Sequence, residues 1–318
     1  MAVSAKKGQA GTRPKSAAVY SDPQHISKDL GMTRQINRHS ALTAPTLFVD
    51  LSGRQLAYRT LGEGRPIVLC NRFRGILDSW DPAFLDTLAE SFTVIYFDYS
   101  GLGVSTGNAS FNPRALANDA RDLAWTLGYE EIVIAGWSLG GQAAQAFTAL
   151  YPEMVSHTIL IGSIPPGQEV KGSEQIFFDT ALKFDNDLKD ETILFFEPNS
   201  EASRDAAQAS HDRIAMRTTD RDTPIPEHLY MRLLREEQGV HPFMDKGGYW
   251  EKLSATMVPI LAICGDHDSM SPVENWHALN ARWNTLEVIT FPQAGHGPHH
   301  QYPKTVALYI ATFVNTIA

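Results

Sequence analysis

At 318 residues and 43% hydrophobic side chains, the chain is long enough to bury a substantial core, as one large α/β domain or two smaller ones. Its formal charge of −9 argues against a nucleic-acid partner, which calls for a basic patch or stripe, and suits small neutral or weakly acidic substrates. Only two cysteines occur, Cys70 and Cys264, each at the end of an apolar run, so a disulfide framework is excluded and buried free thiols in a reducing, cytoplasmic setting are the expectation.

Residues 1–43 stand apart from the rest. Lys6, Lys7, Arg13, Lys15, Lys28, Arg34 and Arg38 against Asp22 and Asp29 give +5 and leave −14 for the remainder. No apolar stretch follows the early lysines, so a flexible arm is expected rather than a secretory signal. No later window has the ~18 consecutive apolar residues of a membrane span, and no membrane partner is expected. The oligomeric state stays open, a homo-oligomer included.

From Thr46 the chain turns regular. TLFVDLSG and RQLAYRTLGEG read as two strands joined at Ser52-Gly53. Residues 66–70 and 92–97 are short apolar strands with a helix over about 82–91 between them, and 112–127 places Leu116, Leu123 and Leu127 at helical spacing. Ile132 to Ala135 has the apolar character of a strand buried on both faces, and the run after Gly141 is helical. Strands are predicted at 157–161, 259–264 and 286–291, and helices at about 272–283 and 303–317. Strands alternating with helices imply a mostly parallel sheet covered on both faces.

One interval departs from this rhythm. Residues 165–252 are helical in pattern throughout, with the clearest helices at 201–217 and 226–237, and they hold Phe177, Phe178, Phe195 and Phe196. A structureless loop of that length is rare, so the interval is expected to be a helical cap on a core made of 44–164 and 253–318.

Chemistry concentrates at Gly136-Trp137-Ser138-Leu139-Gly140, a G-x-S-x-G turn with a strand before it and a helix after it. That context lifts a serine clear of the backbone, and the glycines remove Cβ atoms where strand and helix close on each other. A serine nucleophile needs a base and an acid to orient that base. Candidates follow in order: Gly265-Asp266-His267-Asp268 with Pro272, then Gln293-Ala294-Gly295-His296-Gly297. His299 and His300 are expected to be solvated, and the absence of H-E-x-x-H or Cys/His spacing argues against a metal.

With these motifs in this order, the chain resembles the α/β-hydrolase superfamily over about 46–318, in the cap-bearing group related to esterases, lactonases and cofactor-free haloperoxidases. The resemblance implies an eight-stranded, mostly parallel sheet with helices on both faces, no cofactor, Ser138 as nucleophile, His296 as base and Asp268 as orienting acid, with Asp266 as the rival. It implies an oxyanion hole from the Leu139 N–H and from Phe73, in the loop where the family's H-G-x reads Asn71-Arg72-Phe73. The Asp98 to Ser105 stretch matches the family's structural D-x-x-G-x-G-x-S turn. Trp137, Arg72, Phe177 and Phe178 are the substrate-contacting candidates. For Arg72 the favoured expectation is structural, pairing with an acid such as Asp78 or Asp98, and a place in the pocket is the alternative.

The function implied is hydrolysis of a small-molecule carboxylic ester or lactone through an acyl-enzyme. Alternatives sharing these residues are a perhydrolase or cofactor-free haloperoxidase and a carbon–carbon bond hydrolase. From another class comes a non-catalytic ligand receptor on the same fold.

Overall fold

The structure, a computed structural model, describes Met1 and residues 39–236 and 243–317. Residues 2–38 of the expected arm lie outside the described residues; of its last five residues, His39 and Thr43 are exposed and Ala41 is buried. Ala41 donates its N–H to Asp86 Oδ1 (2.6 Å), and offers its carbonyl to Arg217 Nη1 (2.9 Å).

The hairpin expected at Ser52-Gly53 forms from β1 (Leu47–Leu51) and β2 (Arg54–Leu61), with Gly53 at φ 79°. The strands β3 (Arg65–Cys70), β4 (Phe92–Phe97), β5 (Ile132–Trp137), β6 (Val155–Ile161), β7 (Ile260–Gly265) and β8 (Leu286–Phe291) follow the predicted sequence positions. All eight make one open sheet, ordered β1-β2-β4-β3-β5-β6-β7-β8, antiparallel at β1–β2–β4 and parallel elsewhere.

Side chains alternate between two cores, as the two-residue strand period requires. Ile67, Leu69, Val133, Ala135, Ile161 and Ile263 face α1 (Pro82–Leu88) and the C-terminal helix (Pro303–Thr316). Val68, Cys70, Ile132, Ile134, Leu160 and Cys264 face α2 (Pro113–Thr126) and α3 (Leu139–Leu150). Asp81 and Asn112 cap α1 and α2, each accepting a backbone N–H two residues on, ahead of a proline at the first helical position. Both cysteines are buried free thiols, and burial pushes the Cys70 thiol up to about 12.

Between β6 and β7 the chain makes α4 (Gln175–Ala181), α5 (Leu188–Phe195), α6 (Glu201–Ala215), α7 (Glu227–Glu236) and α8 (Tyr249–Ser254), the helical insertion read from the sequence. After β7 the expected helix over 272–283 shortens to α9 (Glu274–His277), followed by turns closed by Leu279 N–H to Trp276 O and Trp283 N–H to Leu279 O. After β8 comes an unexpected one-turn helix, α10 (Pro298–Gln301), and then the C-terminal helix, α11.

Candidate active site

Ser138 stands between the end of β5 and the start of α3, at φ 57° and ψ −118°, a strained conformation for a non-glycine residue. Its N–H donates to Ile161 O (2.9 Å), and its carbonyl accepts from Gly141 N (2.9 Å), Gln142 N (3.2 Å) and Ser163 Oγ (2.9 Å), so the turn is over-determined. Only glycine fits at 140, where a Cβ would lie 1.9 Å from Cys70 O and 2.7 Å from Asn71 O. The approach it permits is wider than the strand–helix crossing foreseen, because it also brings α3 against the loop after β3. That loop carries Phe73.

His296 reaches the same end of the sheet from the loop after β8, with 1% of its surface exposed. Its Nδ1 lies 2.9 Å from Asp268 Oδ2 and 3.0 Å from Oδ1, and its carbonyl accepts the Trp137 indole N–H at 2.8 Å. Its Nε2 is buried with no hydrogen-bond partner among the described residues. Asp268, after β7, is buried and aimed by the N–H groups of Met270 (2.8 Å) and Ser271 (2.7 Å), both on Oδ1. Asp266 is turned elsewhere: it is exposed, binds its neighbour His267 Nδ1 (2.6 Å), and raises that imidazole's pKa. The fold thus brings Asp268 to His296 and turns Asp266 away from it.

A cavity of about 940 Å³ opens over Ser138 and Leu139. Phe73 lines it from the β3 loop, Phe177 and Phe178 from α4, Leu233 and Leu234 from α7, and no Asp or Glu among the described residues lines it. Neither the Leu139 nor the Phe73 backbone N–H is taken by an acceptor among the described residues. Phe177 also meets the His296 ring edge-on at 5.2 Å.

Of the four phenylalanines of the insertion, Phe177 and Phe178 line the cavity and Phe195 and Phe196 do not. The expectations for Trp137 and Arg72 need correction. Trp137 is 1% exposed and packs under the site instead of lining it, because its indole is committed to His296 O and to Phe195 at 5.0 Å. Arg72 also leaves the cavity, and it pairs with neither Asp78 nor Asp98. Those acids are already engaged: Asp78 by Arg59 Nη1 (2.5 Å) and Asp222 N (2.8 Å), Asp98 by Leu77 N (3.0 Å) and Val104 N (3.1 Å). The Arg72 guanidinium instead lies against both the Trp137 and Phe195 rings, 5.1 and 4.7 Å from their centroids, and donates to Phe73 O at 2.8 Å. Burial lowers it to about 10, partly offset by Glu191. Asn71, where the family has histidine, is buried and accepts the Trp80 indole N–H (2.6 Å) while donating to Phe97 O (2.7 Å). Its role is to hold the loop.

The sequence profile described as alpha/beta hydrolase fold matches residues 65–303. The chain belongs to the α/β-hydrolase fold family. An uncharacterized protein of Mycobacterium tuberculosis is 27% identical, covering 86% of this chain and 82% of its own. A pimeloyl-[acyl-carrier protein] methyl ester esterase of Aliivibrio salmonicida is 26% identical over 76% of this chain and 89% of its own. Among solved structures, an alpha/beta hydrolase fold protein from Chitinophaga pinensis superposes with a TM-score of 0.75 at 26% identity, covering 87% of this chain and all of that one.

Within this α/β hydrolase, His299 and His300 overturn the expectation of solvated histidines. Both are buried, on α10, with His299 against Trp80, Phe84 and Trp137 at 4.5–5.5 Å. Ser210 Oγ gives its proton to Asp81 Oδ2 (2.7 Å), leaving a lone pair for His300 Nδ1–H at 2.9 Å, and Arg213 clamps the same Asp81. Asp81, the cap of α1, is thereby tied to α6 of the insertion. A polar histidine pair gives no sequence signal of burial, and only the proline that starts α10 hinted at a helix there.

Burial keeps both rings neutral, His300 down to about 4 and His299 well below the ordinary range. In the unfolded chain each titrates near ~6.5, so the unfolded state takes up protons first as the pH falls. The stability this contributes is full above ~6.5 and is lost between there and about 4, about 3 kcal/mol for His300 alone. The urea midpoint is expected to fall across that window. His300→Asn, which keeps a donor for Ser210, should flatten part of the slope, and a wild-type midpoint constant from pH 7 to 4.5 would contradict the neutral pair.

Proposed function

We propose that the protein is a serine hydrolase of carboxylic esters or lactones with apolar acyl groups, working through an acyl-enzyme on Ser138. The observation that carries this reading is His296, bound through Nδ1 to a buried Asp268 while its buried Nε2 has no partner among the described residues, at the sheet end where the strained Ser138 stands. In the first half-reaction Ser138 Oγ attacks the carbonyl carbon and its proton passes to His296 Nε2. The carbonyl oxygen becomes an oxyanion held by the Leu139 and Phe73 N–H groups. The C–O bond then breaks and the leaving alcohol takes the proton from His296. Water repeats the sequence on the acyl-enzyme. Asp268 orients the ring through Nδ1 and stabilises the imidazolium.

The insertion serves as a cap, and its inner wall reads the acyl group. An apolar cavity with Arg114, Arg235 and Lys246 on it and no described carboxylate favours neutral or anionic substrates over cationic ones. The ester chemistry in the name of the Aliivibrio relative is that protein's own, and it agrees with this reading.

A fluorophosphonate that labels Ser138, together with p-nitrophenyl esters from acetate to decanoate, tests the proposal. Absence of both labelling and turnover would leave the receptor alternative standing. Because each buried methylene contributes ~0.8 kcal/mol, kcat/KM should rise about fourfold per methylene until the cavity is filled. Phe177→Ala and Phe178→Ala should each shift that chain-length optimum. An unchanged optimum in both variants would assign these rings to the packing of the insertion alone.

A further inference from the structure

Three consecutive residues of the loop after β3 each touch a different helix of the insertion. Arg72 lies against Phe195 of α5, the Phe73 ring meets Tyr230 of α7 edge-on at 6.0 Å, and Arg74 reaches the end of α4. The Arg74 contacts are the most numerous. Its Nη1 donates to Ala181 O (3.0 Å), Lys183 O (2.8 Å) and Asn186 Oδ1 (3.4 Å), its Nη2 to Phe184 O (2.8 Å), and its guanidinium lies 4.4 Å from the Tyr230 ring centroid. A cation on carbonyls released at a helix C-terminus is well placed electrostatically.

The backbone at this point is as unusual as the side chain. Gly75 N–H closes on Arg72 O at 2.9 Å, and Arg74, third in that turn, is at φ 56°. This is type II turn geometry, whose third position ordinarily takes glycine or asparagine. Arginine persists at a strained position when its surroundings over-determine it. The turn also sets the neighbouring donor. Arg72 O and the Phe73 N–H belong to one trans peptide, so fixing the carbonyl on Gly75 fixes the opposite direction of the N–H.

We infer that Arg74 is a positioning residue that makes the Phe73 N–H depend on the seating of α4 and α7, so that the oxyanion site is complete only when the insertion is docked. The inference rests on the hydrolase reading above, since it gives the Phe73 N–H its role. It accounts for the departure from the family's H-G-x pattern: glycine at 72 and a small residue at 74 would leave the turn with no grip on the helices over it.

Arg74→Gly is the informative variant, because glycine holds φ near 56° without strain and removes the side chain whose guanidinium grips the helices. Phosphonylation by a fluorophosphonate probes the site directly. The Ser138 Oγ–P bond forms, the P–F bond breaks with release of fluoride, the serine proton passes to His296, and the phosphoryl oxygen occupies the oxyanion position. A misplaced donor is expected to slow labelling roughly ten- to a hundredfold, somewhat less than outright loss of one. Turnover of p-nitrophenyl acetate and octanoate should fall by that same factor in kcat, with KM changed less than about threefold, and Arg74→Lys should recover part of both.

Labelling of Arg74→Gly at the wild-type rate overturns the inference. So does a loss confined to octanoate, which would mean that Arg74 merely shapes the wall carrying Phe177 and Phe178. If Arg74→Gly does not fold, the same comparison on Arg74→Lys decides, with a partial loss expected and an unchanged rate overturning. Failure of the wild-type protein to label at Ser138 is a separate result and removes the hydrolase reading itself.

Discussion

Ser138→Ala is expected to lower kcat/KM by roughly four to six orders of magnitude, His296→Ala by a similar factor, and the double variant by little more than either alone. The two side chains share one proton: without Nε2 to receive it the serine is a weak nucleophile, and without the serine the base has nothing to activate. The fold should survive both changes. The Ser138 turn is held through its own N–H and C=O, which alanine retains, although alanine keeps the cost of the positive φ. His296→Ala loses a buried ring that packs against Phe177 and Trp137, so its melting temperature should drop measurably while its circular dichroism stays that of the wild type. Retention of more than a hundredth of wild-type ester turnover by Ser138→Ala would rule out the acyl-enzyme.

The second large effect concerns the acid. Asp268→Asn should cost roughly 10⁴-fold in kcat, because an asparagine in that place removes the charge beside the imidazolium and turns an N–H toward Nδ1, favouring the wrong tautomer. The Met270 and Ser271 N–H groups can still bind the amide oxygen, so the loop should hold its shape and KM should change little. Asp266→Asn should cost less than about tenfold, since Asp266 is exposed and can still accept from the Ala294 N–H through the amide oxygen. Equal losses in the two variants, or the reverse order, would falsify the assignment. Both can be read in one assay on p-nitrophenyl butyrate, with melting temperatures measured alongside.

The sequence by itself determined the strand order along the chain, the elbow and its serine, the G-H loop and the place of the insertion. Each of these is written in local terms: short apolar runs for strands, glycines where a Cβ cannot fit, and the lengths of chain between them. The fit of Phe92–Phe97, almost wholly buried, and of Leu286–Phe291, half-exposed at the sheet edge, to their expected bounds shows how far such local signals reach. The resemblance put Asp268 ahead of Asp266, but which of them meets His296 is a tertiary matter, because two carboxylates two residues apart in a loop differ in where the loop turns.

Arg72 and Arg74 show the same limit from the other side. A charged side chain is expected to find an opposite charge, but Asp78 and Asp98 were already bound by other groups, and what remained for the arginines were aromatic faces and carbonyl oxygens. His299 and His300, polar in sequence and buried in the fold, follow the same rule. Partners of polar groups are chosen by three-dimensional competition among residues far apart in the chain, and no local pattern records who wins it. Apolar burial needs only a face and a period, and that much the chain carries in its order of residues.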